Sequence, residues 1–473
     1  MNNPHDLLND ETFRAALDER NRRLWSCIDQ LQPVPPPLPQ DSGPPQGTYD
    51  PDQDANIPPQ REKAFEYLHQ NWELLTQFGD PSVSDVDDLR GNLYNTQHKR
   101  LNSYIPADQD ELNSDGVKEY DKEVPENQGG GLRGAIYSQI GAWTGEPVAV
   151  MRWRIGDLLT ALSWQIEIME SLRGAMDMYR ALLGASRAKV LDICDNTIRV
   201  LEGNAAEAEN EVGAFLADAG DRIGKGLSQL DFTSYVGEVA VEGPKAAVTG
   251  LAKDVVGKVL SGVAGAVVEE INEPASSDPM PPLESMIDSV RKLRAATQGD
   301  SDRIAGMVDD LSEYVAPGGA HYQFLIHEDG ESAPPYPYGT GTGISDGASY
   351  VPAGIYYVAK GILPPVAEAW RSNQVTMEGV TGPNAFLEHL PTSVGAEHMF
   401  LRLRRSWFRV RSELTAAMGE TVDGIAETSR RMADAAAQLE SNELVNVESL
   451  NRLGADLESV RSPVSQKLDG ETN

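Results

Sequence analysis

Apolar and polar positions alternate most regularly between residues 147 and 203. Ile155, Leu162, Met169, Met176, Leu183 and Val190 recur every seven positions. A companion row three residues on, Leu158, Leu172, Tyr179, Ile193 and Val200, keeps the same step, with Gln165 and Ser186 as its polar members. A heptad held over this many turns predicts one long helix whose apolar edge lies along another helix, as in antiparallel hairpins and bundles. At about 1.5 Å per residue the rod runs on the order of 80 Å. Gly156, Gly174 and Gly184 weaken it locally, and close helix approach accounts for them.

Helical spacing continues on both sides of this segment. Residues 10–31 set Phe13, Leu17, Leu24, Ile28 and Leu31 on one face, with Asp10 placed to cap the free amides. Residues 61–79 carry Phe65, Leu68, Trp72, Leu75 and Phe78 on one stripe, and Val86, Leu89, Leu93 and Leu101 follow in a second piece. Residues 284–315 place Ile287, Val290, Leu293, Ile304, Val308 and Leu311 at helical spacing. A last long helix is predicted from about 397 to about 440, on Phe400, Leu403, Trp407, Val410, Leu414, Met418, Ile425, Met432 and Leu439. The predicted fold is mainly α, an elongated bundle of long antiparallel helices with Pro/Gly-rich loops and at most a minor β-hairpin near residues 321–330.

Breakers divide the chain into an N-terminal amphipathic helix (1–32), a Pro-rich linker (33–60), a helical hairpin region (61–225), a Gly/Ala-rich helix and hinge (226–282), a helical segment (283–315), an irregular Gly/Pro/Tyr-rich region (316–395), a C-terminal long-helix region (396–460) and a tail (461–473) expected to lack order. The PxxP spacing of the linker reads as a stiff spacer rather than a docking motif. The Gly/Ala-rich helix (244–271) carries the stripe Val248, Leu251, Val255, Val259 and Val263. It reads as a closely packed internal helix, with membrane insertion as the alternative.

The net charge of −33 changes the picture of partners. A surface this acidic repels phosphate backbones, so nucleic-acid binding through a general basic face is excluded, and adsorption to anionic lipid is disfavoured. One stretch departs from that background: "RLRRSWFRVR" (402–411) interleaves five arginines with Trp407. Such a cluster either grips an anionic partner or pairs with carboxylates of its own fold, and the second is expected here. The N-terminus has no basic start followed by an apolar run, and the most apolar stretch, "VLSGVAGAVV" (259–268), is too short for a bilayer. If the chain is secreted or held at the cell surface, it gets there by a route that ignores cleavable signals; otherwise it is cytoplasmic. Its two cysteines match no metal or redox spacing. Cys194 reads as a buried thiol, and a Cys27–Cys194 bridge is left open.

Candidate chemistry is sparse. The seven histidines stand in no metal-ligand spacing, "HED" at 327–329 reads as a polar turn, "GTGTG" (339–343) lacks the residues of a phosphate loop, and no GxSxG elbow occurs. A non-enzyme without cofactor or metal is expected. The alternative of an enzyme rests on the 316–395 region, where His321, His327 and Tyr350 lie near Gly-rich turns.

The long helix is preceded by "GAWTGEP" (141–147), with Trp143 and Gly145 as a Trp-x-Gly triplet. Residues 143–202 resemble the second half of the WXG-type helical hairpins exported by actinobacterial type VII (ESX) secretion systems. In that family Trp-x-Gly is the bend between two antiparallel helices. Glycine permits the tight turn and the indole covers the end of the seam. Residues 412–440 resemble the C-terminal helix of a second class of type VII substrates, which commonly ends in Tyr-x-x-x-Asp. Asp434 is present, and Arg430 stands where the tyrosine is expected. Tyr104 to Asp108 is a literal match, but it lies in a loop-like stretch containing Pro106 and reads as coincidence. The resemblance implies a secreted substrate, or a cytosolic partner that presents substrates. It also implies pairing with a small helical secretion partner or a second copy, and contact with the secretion machinery. Membrane contact is the less favoured reading.

Overall fold

A computed structural model describes residues 9–30, 57–93, 131–140, 146–203, 278–319, 322, 352–389 and 398–441. In chain order the elements are α1 (Asp10–Gln30), α2 (Ile57–Asn71), α3 (Glu73–Thr76) tightening into a 3₁₀ turn (Gln77–Gly79), α4 (Val83–Gly91), α5 (Gly131–Ile140) and α6 (Glu146–Leu201). Then come α7 (Met280–Asp310), α8 (Ser312–Val315), α9 (Pro352–Tyr356), a π-helical stretch (Tyr357–Ile362), α10 (Leu363–Gly379) and α11 (Leu401–Ser441). No strand occurs among the described residues, and their buried apolar side chains form one contiguous core. The fold is mainly α, with helix packed on helix.

The heptad segment is a single helix of 56 residues, α6. All six positions from Ile155 to Val190 are buried. The expected single companion is corrected to several: α7 lies along α6, and α1, α4 and α11 cover it elsewhere. The reason is composition. Leu159, Ile166, Ile168, Leu182, Leu191, Cys194 and Ile198 stand outside the two rows and are buried too, and a helix apolar on several sides needs several neighbours. Its polar row members are satisfied across these contacts. Gln165 accepts from Trp370 Nε1 of α10 at 2.8 Å and donates to Thr421 Oγ1 of α11 at 2.7 Å. Ser186 and Thr297 of α7 share a hydrogen bond at 2.9 Å. Buried polar groups are costly without partners, so these bonds fix the register of three helices on α6.

The cap of α1 differs from expectation. Asn9 Oδ1 accepts from the amides of Glu11 and Thr12, at 3.0 and 3.1 Å. Asp10 is thereby free to turn inward, where it meets the guanidinium of Arg187 at 2.8 Å and accepts from Val83 N at the start of α4. Arg187 is fully buried. It also donates to the carbonyls of Phe78 and Pro81, at 2.9 and 2.8 Å, and lies over the Phe13 ring. One cation thus ties α1, the turn before α4 and α6.

Residues 352–379, expected to be irregular, are helical. Pro364 and Pro365 hide this in the sequence, because proline inside a helix removes a donor and clashes with the preceding turn. The chain accommodates them by widening to π geometry over Tyr357–Ile362 and opening α10 with both prolines in its first turn. In that register the Ala359 carbonyl falls to Pro364, which has no N–H; the Ser429 hydroxyl of α11 donates to it instead at 2.6 Å. Pro281 and Pro282, read as part of a hinge, likewise sit in the first turn of α7. The bend at Trp143 and Gly145, residues 33–56 of the Pro-rich linker, the 244–271 helix, the hairpin near 321–330 apart from Tyr322, Leu439's side chain and the tail lie outside the described residues, as do His321, His327 and Tyr350. Residues 57–60, read as linker, open α2 instead, and Tyr322 is in no strand. No described helix is long and apolar enough to cross a membrane.

Replacing Asp10 with alanine leaves the enclosed Arg187 cation without its counter-charge, and breaking such pairs costs about 3 kcal/mol or more. The denaturant midpoint of the Asp10→Ala variant is expected to fall accordingly. A loss under about 1 kcal/mol would mean that the two carbonyls alone hold the arginine.

Candidate functional site

The candidate interaction residues on α6, namely Ile155, Leu162, Met169, Met176 and Leu183, are all in the core of the chain itself. Trp407 joins them. Its indole is buried and donates through Nε1 to the Leu172 carbonyl at 3.1 Å, between the levels of Met169 and Met176. Asp434 is not brought to this place. It is exposed on α11 and pairs with Arg430, one turn before it, at 3.0 Å. Arg430 also binds Glu427, and together with Arg431 it holds that carboxyl down to about 2. The position where the resemblance expects a tyrosine is therefore a link in a surface ion-pair chain. Trp143 and Gly145 belong to the five residues between Ile140, which ends α5, and Glu146, which begins α6.

The arginine cluster around Trp407 is mostly committed within the fold, as expected. Arg402 and Arg409 both reach Asp309, at 3.2 and 2.9 Å. Arg411 donates to the carbonyls of Val380 and Glu378 at the end of α10 and lies over the Trp407 and Phe408 rings. Arg404 and Arg405 are exposed and have no partner among the described residues.

Two features escaped the sequence reading. The first is a segment, residues 380–389, that crosses from α10 toward α11 and is strapped to α4 and the turn before it. Ser82 N donates to the Asn384 carbonyl, Asn384 N to Asp85, and His389 N to Asp80, each at 2.8 Å. Tyr179 of α6 donates to the Ala385 carbonyl at 2.8 Å, its ring stacked on Phe386 and edge-on to Phe400. Gly382 has φ +45°, and a Cβ there would meet Leu89 at 2.6 Å, so a side chain is excluded on two counts. Glu388 ends the strap and accepts from Met399 N and Phe400 N at the start of α11, with His398 at 3.5 Å. Burial pushes the Glu388 carboxyl up, against the two amides, His398 and Arg294, which pull it down.

The second feature is a row of arginines. Arg173, Arg180 and Arg187 recur every seven residues on α6. Arg173 lies 3.7 Å from Asp177, which also meets Arg90 of α4; Arg180 meets Asp87 at 2.7 Å, and Arg187 meets Asp10. Burial raises Asp177 despite these three neighbouring cations. The repeat of basic residues at the apolar step was the signal available in the sequence.

A shallow cleft is lined by Leu89, Asn92, Leu93, Met377, Val380, Trp407 and Arg411. Among the described residues no group of three or more His, Cys, Asp or Glu side chains is placed to hold a metal ion. Cys27 and Cys194 are free thiols rather than a bridge, and burial raises the Cys194 thiol far above its ordinary value. No protein-family model, curated protein or solved structure matches the chain.

Because Glu388 titrates higher folded than unfolded, the folded state holds its proton more tightly. Its contribution to stability is full below the ordinary glutamate range and is lost as pH rises through the raised value. Thermal melts of Glu388→Gln and the parent chain are compared between about pH 4 and 5.5, below the histidine range. The difference in Tm is expected to move in favour of the glutamine variant as pH rises. A pH-independent difference would refute the assignment.

Proposed function

We propose that this chain is a type VII secretion-associated helical protein that acts through helix–helix interactions, as a secreted substrate or as a cytosolic partner presenting one. The observation that carries this reading is the placement of the Trp-x-Gly triplet. Trp143 and Gly145 lie between a short helix ending at Ile140 and a 56-residue helix beginning at Glu146 whose heptad row is buried from Ile155 onward. Because that row is covered by the chain's own helices, the partner surface is assigned to the residues that join α5 to α6 rather than to the seam. The partner is a small helical protein or a second copy of the chain. Arg430, paired with Asp434 and Glu427 where a tyrosine is expected, favours the presenting role over independent export.

Co-expression with small helical proteins encoded beside it tests the pairing by light scattering of the purified species. A stable complex is expected, weakened about tenfold or more by Trp143→Ala, since a central tryptophan commonly contributes over 2 kcal/mol to an interface. A monomer indifferent to every such protein would remove the proposal. Export is read separately, by blotting culture filtrate from a type VII-competent host and from one lacking the secretion ATPase. The presenting role predicts retention of the parent chain in both hosts and ATPase-dependent export on Arg430→Tyr. Export of the parent chain in the competent host alone would make it a substrate.

A further inference from the structure

The chain carries a net charge of −33, yet the first turns of α11 present Arg402, Arg404, Arg405 and Arg409 at the surface. Arg402 and Arg409 share a single carboxylate, Asp309. Arg404 and Arg405 have no partner among the described residues and stand near the start of a 41-residue helix with no acidic residue in its first turn. Cations there oppose the helix dipole. Nothing in the packing of α11 requires them.

Arg404 precedes Arg411 by seven residues and so lies on the same side of α11, the side where Arg411, Trp407 and Leu93 line the cleft. Leu93 is the last described residue before the 37 residues 94–130. Between Asp108 and Glu126 these hold eight carboxylates (Asp108, Asp110, Glu111, Asp115, Glu119, Asp121, Glu123, Glu126) against two lysines. At its far end the segment leads into α5, which packs on the π-helical stretch, where Ala359 meets Ser429 of α11. Both tethers therefore stand beside α11, near Trp407 and near Ser429. That is about 33 Å of helix, whereas 37 extended residues span on the order of 120 Å.

We infer that the acidic segment 108–126 docks on the Arg404–Arg405 patch, with Arg402 and Arg409 at its border, as an intramolecular clasp over the start of α11. A separate acidic protein is repelled at long range by the net charge, whereas a tethered segment acts at an effective concentration in the millimolar range.

The test uses the full chain carrying Arg404→Lys and Arg405→Lys, which keep the charge and supply amines. A carbodiimide joins an amine to a touching carboxylate as an amide, with loss of water, and the linked peptides are read by mass spectrometry. Links within one chain from position 404 or 405 to Asp108–Glu126 are expected. They should fall about tenfold in 1 M salt, where screening acts within about 3 Å. Links only to carboxylates of the described helices, such as Asp309, or only between two copies, would overturn the proposal. Hydrogen exchange gives a second reading on the otherwise native chain. Arg404→Glu with Arg405→Glu, both at exposed positions, should speed amide exchange within 108–126 and leave α6 and α11 unchanged. Unaltered exchange in 108–126 would equally overturn it.

Discussion

The enclosure of the Arg187 guanidinium is the constraint from which much of the architecture follows. A cation held out of water demands acceptors on several sides, and this one finds them on Asp10, Phe78 and Pro81. Burial depresses its affinity for the proton, and Asp10 opposes that shift without cancelling it. To deliver those acceptors, α1 must lie against α6 with Asn9 rather than Asp10 serving as its cap, and the turn after α3 must close tightly. Gly79 stands in that turn, where a Cβ would press on Phe13 at 3.2 Å. Local capping, a tight turn and a long-range ion pair thus agree on one placement of the N-terminal helices, the kind of agreement across levels that makes a native state unique. The specificity is geometric, since an ion pair of this sort adds little net stability over a well-packed apolar replacement.

Further along α6 the same logic repeats with weaker elements. Arg180 and Arg173 pair with carboxylates of α4 and of α6 itself, so one side of the helix is fixed by charge. The opposite sides are fixed by apolar rows and by two neutral polar residues. A helix covered in this way has little freedom to slide, because each polar group would lose its partner within one residue of translation.

Long helices were legible in the sequence because their period extends over many turns. α6 and α11 fell where the spacing placed them, and every candidate residue of α6 is buried. Placement against neighbours was less legible. A heptad row announces that a partner exists and leaves open whether that partner is one helix or several; Ile168, Leu182 and Ile198 held that information outside the rows. The helical stretch 352–379 was missed because Pro364 and Pro365 act as breakers in any local reading. Their accommodation depends on a hydroxyl 65 residues further on, at Ser429. The strap at 380–389 was missed for a related reason. Its order comes from Asp80 and Asp85, some 300 residues away in sequence, rather than from any pattern of its own.

Gln165 spans two neighbours with one carboxamide, its oxygen on Trp370 and its nitrogen on Thr421. If α10 departed alone, that oxygen would be stranded in a dry interior, and if α11 departed alone the nitrogen would be. The two helices are also joined to each other by the Ser429 hydroxyl on the strand of backbone just before α10. Displacing either helix therefore leaves an unmet polar atom on α6 and weakens the seat of the other, so the two hold to the central rod cooperatively.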